Sequence, residues 1–501
     1  MTPEGPSTGS FLPGFKDTPV FKEYLVFKST KSPEVLRYLI TFLTFGKKVH
    51  FVDDDLHLAA FQSWSEIEAR IAHVRLPLYT VRLMKSLLTR YFPCYDTDIP
   101  FLPKHGSGSV AERGVRGITG KNDVFSFDPL VNRLLLRAGG GLIQDGLFPK
   151  GSSWMDHGYT GRRPSRLAFV PKDLRKSRSI CMEPTSIMWA QQAVRLRYEA
   201  TLGKTIFGSM IHIKDQRYNQ RACIYGSKTS RVDTIDLTSA SDSVSWLLVR
   251  KLFPINILID LAATRSNLVS SEYAEGDVEL KKFAPMGSAL CFPVQSTVYA
   301  TVVLFCGYKW YARKKGLTIE HVIHNVDWKT IFNQRHGMSL RKLEPICVYG
   351  DDIICDSRIM ADVVNLLASL AFSVNIEKTF TDTQAFRESC GVQAFAGNEV
   401  TPFLYRVKNL QEKMSAECLA SMIDCANRAG DWGYRNLQRF LTNSCLYLPL
   451  REFGGSRNHI LFSSDRDEAH SLFSVNPHNY RLRKRIYEND AVKTDSTMSR
   501  F

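Results

Sequence analysis

From Lys22 to about Phe92 apolar positions recur every three or four residues, as in YTVRLMKSLLTRYF, and this period predicts helices. Between about 232 and 400 the texture changes. Short β-rich runs (VDTIDL, PICVYG, DIICDS) alternate there with helical ones, which predicts an α+β core. VDTIDLTSASDSVS, residues 232–245, reads as a strand that delivers Asp236 at its end, then a hydroxyl-rich turn and a helix from near Ser243. PICVYGDDIICDS, residues 345–357, reads as a β-hairpin with Gly350, Asp351 and Asp352 at the tight turn between two apolar strands. After 405 helical periodicity returns, and it ends in the basic stretch NYRLRKRIY.

Polar and glycine-rich stretches punctuate this pattern. The first twenty residues, rich in Pro, Gly and Ser, read as a loose arm without the basic and apolar regions of a signal peptide. KHGSGSVAERGVRGITGKND, residues 104–123, reads as a mobile loop suited to phosphate contacts, and the three glycines at 139–141 read as a hinge or turn. VYATVVLFCGY, residues 298–308, is shorter than the ~20 apolar residues of a membrane span and reads as a buried helix. No internal repeat interrupts the chain.

Composition narrows the class of partner. The 501 residues are 44% hydrophobic and 23% charged, as in folded proteins rather than disordered ones. A net charge of +15, from 65 basic against 50 acidic residues, calls for a polyanionic partner, most commonly nucleic acid, although a membrane surface fits the balance too. The densest positive segment is GRRPSRLAFVPKDLRKSR, residues 161–178. Eleven cysteines with no C-x-x-C pair fit reduced thiols better than a disulfide framework or a zinc site.

If the two β segments pair, Asp236 lies beside the hairpin tip and three carboxylates share a small space. Two unit charges ~4 Å apart repel by about 4 kcal/mol at an effective dielectric near 20, so such a cluster is tolerable when it binds divalent cations. Oxygen-only ligands favour Mg²⁺ or Mn²⁺ over zinc, and a pair of such ions clamps both oxygens of a phosphoryl transfer. Simpler readings exist. Adjacent aspartates at a hairpin tip often only form the turn, and Asp242, like Ser241, is a favoured helix N-cap.

Several ordered motifs carry a family resemblance. Tyr349-Gly350-Asp351-Asp352, the Asp236-Leu237-x-x-Ala240-Ser241-Asp242 pattern and VPKDLRKSRSICMEP (170–184) together resemble RNA-dependent RNA polymerases. With YNQRACIYGS (218–227), NIEKTF (375–380), FRESCG (386–391) and VTPFLYR (400–406), the chain resembles the replicase catalytic (beta) subunit of levivirus-like single-stranded RNA bacteriophages. The match runs from about 160 to 406, and the flanking regions agree only in size and character.

The resemblance implies a right-hand polymerase of fingers, palm and thumb, an α+β fold with an antiparallel palm sheet flanked by helices. It implies an N-terminal helical region over 1–160 bridging fingers and thumb, fingers over 161–231, the palm over 232–400, and a thumb or C-terminal helical region with a basic tail over 401–501. By resemblance Asp236, Asp351 and Asp352 hold two Mg²⁺ ions, with Mn²⁺ as an alternative, and Asp351 takes the larger share. Lys172, Arg175 and Arg178 neutralise the incoming triphosphate, though a solvated basic face is the plainer reading of that segment's other cations. Gly287 and Ser288, in PMGSALCFPVQS (285–296), flex and donate hydrogen bonds before a helix. Polymerases commonly place an Asn further along that helix to read the sugar. Here position 295 is Gln, so sugar recognition falls to Asp242 and Ser243. Lys378 stands where a lysine often protonates the departing pyrophosphate; a salt bridge to Glu377 or another acid is the alternative. The implied partners are a single-stranded RNA template and nascent RNA, rNTPs, host translation elongation factors Tu and Ts and a ribosomal RNA-binding protein, with no membrane. The implied setting is the cytoplasm of the infected bacterium.

Two rival readings fit part of the pattern. A reverse transcriptase shares the Tyr-x-Asp-Asp hairpin, but needs a bulky aromatic just after the first aspartate, where Leu237-Thr238-Ser239 stand. A non-catalytic RNA-binding protein would show a broken carboxylate set, and all three are present. Leu202-Gly203-Lys204-Thr205 imitates a phosphate-binding loop, but Tyr198 occupies its first glycine position.

Overall fold

The computed structural model describes residues 18–48, 54–96, 98–106, 108–115, 117–124, 128–137, 164–173, 176–333, 346–406 and 416–445, and four short strands between 473 and 492. The chain groups into two compact units. One comprises 1–12, 61–169 and 179–400, the other 13–60, 170–178 and 401–501. Each unit thus gathers three separate stretches of the chain.

Twelve strands are used below. They are β1 (Ser165–Asp173), β2 (Lys176–Met182), β3 (Val232–Ile235), β4 (Leu237–Thr238), β5 (Leu268–Ser270), β6 (Val278–Glu279), β7 (Cys347–Tyr349), β8 (Asp352–Asp356), β9 (Ser373–Val374), β10 (Phe386–Ser389), β11 (Val392–Phe395) and β12 (Asn398–Glu399). They form sheets in the orders β2-β1-β5-β6, β3-β8-β7, β4-β9 and β10-β11-β12.

The antiparallel sheet β3-β8-β7 lies at the centre of the first unit. Its side chains alternate between two apolar layers, as the period of two requires. Val348, Ile353 and Cys355 face a core built on the helix Cys291–Lys315, while Cys347 and Ile354 join Ala222 and Cys223 of the helix Arg217–Thr229. Burial on both faces explains why residues 346–348 and 353–355, on either side of the tip, are apolar without a break. The helix Cys291–Lys315 is long and apolar enough to cross a membrane, yet 94% of its apolar window is buried inside the protein. The expected buried helix at 298–308 is therefore its central part.

In the second unit, the helices Pro19–Thr30 and Pro33–Thr44 begin as the sequence dictates. Thr18 and Ser32 accept hydrogen bonds from Phe21 N–H and Val35 N–H, and a proline occupies each first turn. Phe45 stacks on Tyr405 with centroids 5.6 Å apart, Phe403 meets Tyr434 at 5.3 Å, and the Arg37 guanidinium lies 4.3 Å from the Trp432 ring centroid. These contacts join the N-terminal helices to the helix Ala416–Asp431 and its following turn.

Two expectations change. Residues 104–123 are not simply a loop: Gly117–Asp123 is helical, and the Lys121 ammonium is buried, donating to the carbonyls of Gly106 and of Gly108, the latter at 2.6 Å. The glycines let the backbone wrap a cation that needs carbonyl partners once buried. The C-terminal region is helical over Ala416–Asp431 and Arg435–Cys445, but the basic tail pairs as strands, Phe473–Val475 with Leu482–Lys484 and Tyr487–Glu488 with Ala491–Val492. The alternation in Tyr480-Arg481-Leu482-Arg483 is a strand period. The loose arm, apart from residues 18–20, and the glycines at 139–141 lie outside the described residues.

Candidate active site

β3 and β8 pair with Ile235 opposite Ile353, and β7 and β8 with Tyr349 opposite Asp352. Asp236 directly follows β3 and Asp352 opens β8, so the two aspartates emerge side by side at one end of the sheet. Asp351 sits at the exposed tip of the two-residue turn between β7 and β8. Gly350 precedes it with φ 62, in the left-handed region, and a Cβ there would stand 2.5 Å from Phe292 Cε2. The Gly350 N–H donates to Ser296 Oγ at 3.1 Å, which ties the turn to the helix Cys291–Lys315. Tyr349 meets Phe292 edge to face at 5.0 Å.

Each recessed carboxylate is held from behind. Asp352 Oδ1 accepts from Cys390 N–H at 3.0 Å and from Ser389 Oγ at 3.2 Å. Asp236 Oδ2 accepts from Asn375 Nδ2 at 2.7 Å, while its backbone N–H donates to Thr379 Oγ1 at 3.3 Å. Burial, and then the neighbouring charges of Asp351 and Asp236, push the Asp352 carboxyl up to about 6, against the bonds from Cys390 and Ser389. Asp236 is also raised, chiefly by burial, with Lys378 and Asn375 opposing. No group of three His, Cys, Asp or Glu side chains among the described residues forms a ready metal-ligand cluster. The three aspartates converge as charges, not as a closed coordination shell.

The other expected residues fall into distinct places. Lys378 is bridged to Glu388 at 3.1 Å, not to Glu377. Burial pulls its pKa down, but Glu388 and Asp236 overcome that and leave it raised, with Asp352 adding to the effect. It is therefore a retained positive charge beside Asp236. Asp242 is not a helix cap, because Ser245 caps the helix Trp246–Leu252 by accepting from Leu248 N–H at 3.1 Å. That helix starts later than expected, and a short turn of helix, Ala240–Ser243, precedes it. Asp242 is instead ion-paired with Lys282 at 2.8 Å, and Ser243 Oγ accepts from Arg70 at 3.0 Å. Gln295 accepts from Ser241 Oγ at 2.8 Å, so the residue in the place of the usual Asn holds the turn after Asp236. Ser288 is buried, and its Oγ accepts from Leu290 N–H at 3.3 Å.

Gly287 has φ 116, and an added Cβ would lie 2.0 Å from the Cys181 carbonyl oxygen. The segment crosses β2 backbone to backbone, with Cys181 N–H donating to Met286 O at 2.8 Å. This is close approach more than freedom to flex. Gly287→Ala is expected to cost at least about 2 kcal/mol from the strained φ and the backbone clash, read as a lower urea midpoint at unchanged slope.

Lys172 and Arg178 are exposed and belong to the second unit, where Lys172 acts electrostatically on Lys48 alongside Asp173, Lys47 and Arg406. Arg175 lies outside the described residues. Sequence reading missed Asn375, Ser389, Cys390, Gln295 as a partner of Ser241, Glu68 and Lys282. NIEKTF and FRESCG pointed to the first three, since both motifs supply the carboxylates' hydrogen bonds.

A rigid antiparallel sheet presenting three aspartates at one end, with only oxygen donors among them, defines an acidic site of the class that serves phosphate chemistry with divalent cations. The family model described as "RNA replicase, beta-chain" matches residues 147–306 and 336–437, more than half of the chain. The chain belongs to that family. It is 32% identical over 277 residues to the RNA-directed RNA polymerase subunit beta of Enterobacteria phage SP, covering 54% of this chain and 40% of that protein. The RNA-directed RNA polymerase beta chain of Escherichia phage MS2 is 30% identical over 266 residues, covering 53% of this chain and 40% of that protein. The matched stretch thus spans well under half the length of these relatives. Among solved structures, the RNA-dependent RNA polymerase of a human picorbirnavirus aligns over 56% of this chain and 55% of its own at 12% identity, with a TM-score of 0.35, too low to define a shared fold.

Proposed function

We propose that the chain is the catalytic subunit of a phage RNA replicase, an RNA-directed RNA polymerase that copies single-stranded RNA by joining rNTPs. The observation that carries this is the convergence of Asp236, Asp351 and Asp352 at one end of the β3-β8-β7 sheet in a chain of the replicase beta-chain family. In the family's terms that sheet is the palm, within a right hand of fingers, palm and thumb.

The donor set fits a hard divalent cation. All three side chains offer oxygen, Asp351 is exposed, and the like charges that raise Asp352 are relieved by a cation. Asp236, Asp351 and Asp352 would hold two Mg²⁺, or Mn²⁺ in their place. When bound, these ions activate the 3′-hydroxyl and neutralise the triphosphate.

The chain's own residues do the rest. Asn375, Ser389 and Cys390 fix the rotamers of Asp236 and Asp352, and Lys378 balances their charge. The 3′-oxygen of the nascent strand bonds to the α-phosphorus as pyrophosphate leaves. Lys172, Arg175 and Arg178 bind the triphosphate, and Asp242 and Ser243 read the ribose. Leu237 is buried and Thr238 exposed, so no aromatic stands after Asp236 to exclude a 2′-hydroxyl, which favours ribonucleotides over the reverse-transcriptase reading.

The relatives' names, subunit beta and beta chain, describe one member of a multi-chain enzyme. The fuller assembly proposed here includes host elongation factors Tu and Ts and a ribosomal RNA-binding protein, in the cytoplasm of the infected bacterium. Purified protein given single-stranded RNA, four rNTPs and Mg²⁺, with and without host extract, is expected to make RNA that disappears on chelation or without template. Product that survives either omission sinks the assignment.

A further inference from the structure

Ser241, Asp242 and Ser243 are each held by a different element. Gln295 holds Ser241 Oγ at 2.8 Å. Arg70, on the helix Asp54–Ala72, donates to Ser243 Oγ at 3.0 Å and to Ser373 Oγ at 2.7 Å. Asp242 is held through Lys282, whose side chain has no exposed surface. The Lys282 ammonium lies 2.8 Å from Asp242 Oδ1, 3.1 Å from Glu68 Oε1 and 4.4 Å from the Trp64 ring centroid. Asp242 Oδ2 accepts from Ser179 Oγ at 3.2 Å, and Glu68 Oε2 accepts from Lys281 N–H at 2.7 Å.

One buried cation is thus shared between two buried acids. A full ion pair with Lys282 alone would balance Asp242. The second acid helps hold the ammonium charged against burial and anchors it from a separate helix, so that the Asp242 carboxylate bonded to it is fixed in place. Those are the properties needed in an acceptor for a sugar hydroxyl. A site built to hydrogen-bond a substrate hydroxyl rejects the analogue that lacks it, because its own polar group is left unpaired.

We propose that Lys282 and Glu68 are positioning residues for ribose selection, holding Asp242 so that it accepts from the 2′-hydroxyl of the incoming nucleotide. This rests on the reading of Asp242 as the sugar-facing acid in a polymerase. The helix carrying Glu68 and Arg70, far from Asp242 in sequence, then sets sugar specificity without touching the nucleotide.

The test uses the full chain with template RNA and Mg²⁺, and measures kcat and KM for single rNTP and matching dNTP additions. Lys282→Met is expected to lower kcat/KM for the rNTP by about 10- to 100-fold while the dNTP value stays within about 2-fold. Glu68→Gln is expected to lower the ribose preference by roughly 3- to 10-fold, and it decides the matter if circular dichroism shows Lys282→Met unfolded. Asp242→Asn should reproduce the Lys282→Met loss, with no further loss of preference in the double variant. A ribose preference that the variants retain, with rNTP and dNTP falling together, overturns the positioning roles alone. A parent that makes no RNA, or makes it without preferring ribose, overturns the polymerase reading beneath them and the positioning with it.

Discussion

Asp351→Asn is expected to abolish RNA synthesis while leaving RNA binding largely intact. Asp351 is exposed at the β-turn tip, so an amide of the same size costs the fold little. What it removes is one of three negative charges at the end of the sheet. Cation-based stabilisation of the transferring phosphoryl group is worth several kcal/mol, and each 1.36 kcal/mol is tenfold in rate, so the loss should be on the order of 10³-fold or more. The change also removes one of the like charges that push Asp352 up, so its carboxyl should move back toward the ordinary range. Primer extension and filter binding, run on the same preparations, read the two effects apart. Equal synthesis by variant and parent would sink the acidic-site assignment, and parallel loss of binding would point to a misfolded hairpin.

Arg387→Met is expected to destabilise the first unit by about 3–5 kcal/mol. The Arg387 side chain is fully buried. Its guanidinium donates to Val232 O at 3.0 Å, to Gln384 O at 2.6 Å, to Phe386 O at 2.8 Å and to Asp233 Oδ1 at 3.1 Å. Methionine fills much of the volume but supplies no donor, so three carbonyls and a buried carboxylate lose a partner together. Burial already raises Asp233 to about 6, against the attraction of Arg387 and the hydrogen bond from Ser357, with Asp382 and Asp356 adding like charge. A carboxyl raised on folding stabilises below its unfolded pKa, near 4, and loses that contribution as pH rises through its folded value. Without Arg387 the folded value climbs further. The deficit should therefore be larger at pH 8 than at pH 5, as urea unfolding at the two pH values would show. A deficit independent of pH would mean that Asp233 finds another cation. Asp233 lies on β3, so the variant should also disturb Asp236 and slow synthesis.

What was legible in the sequence was what is local. The hairpin was readable because turn chemistry and apolar flanks sit within thirteen residues, and both faces of its sheet are buried. Asp236 was readable because a strand period ends on it. Lys282 offered no comparable signal: its partners Asp242 and Glu68 both lie far from it along the chain, Asp242 by 40 positions. A lysine beside another lysine, in a run such as ELKKFAP, reads as a solvated cation. Gly287 was noticed for the wrong physical reason, since a close crossing of two backbones leaves the same glycine in the sequence as a flexible joint does. Residues 104–123 were read from composition, and composition does not reveal that one lysine will be wrapped by the carbonyls of its own loop.

The helix Cys291–Lys315 also constrains how the protein can be made. One side of it packs on the helices Leu78–Tyr91 and Thr185–Gly203, which precede it, and another on a core that includes Ile346, Val348, Ile353, Val363, Leu367 and Phe372, all of which follow it in the chain. At ~5–20 residues per second a ribosome needs roughly 3 to 11 seconds to pass from Lys315 to Phe372. Throughout that interval the side of the helix that later residues will cover stays open on the nascent chain. That side is closed only when the hairpin that carries Asp351 and Asp352 has been made, so slow translation across 316–372 should lower the soluble yield without altering the activity of what folds.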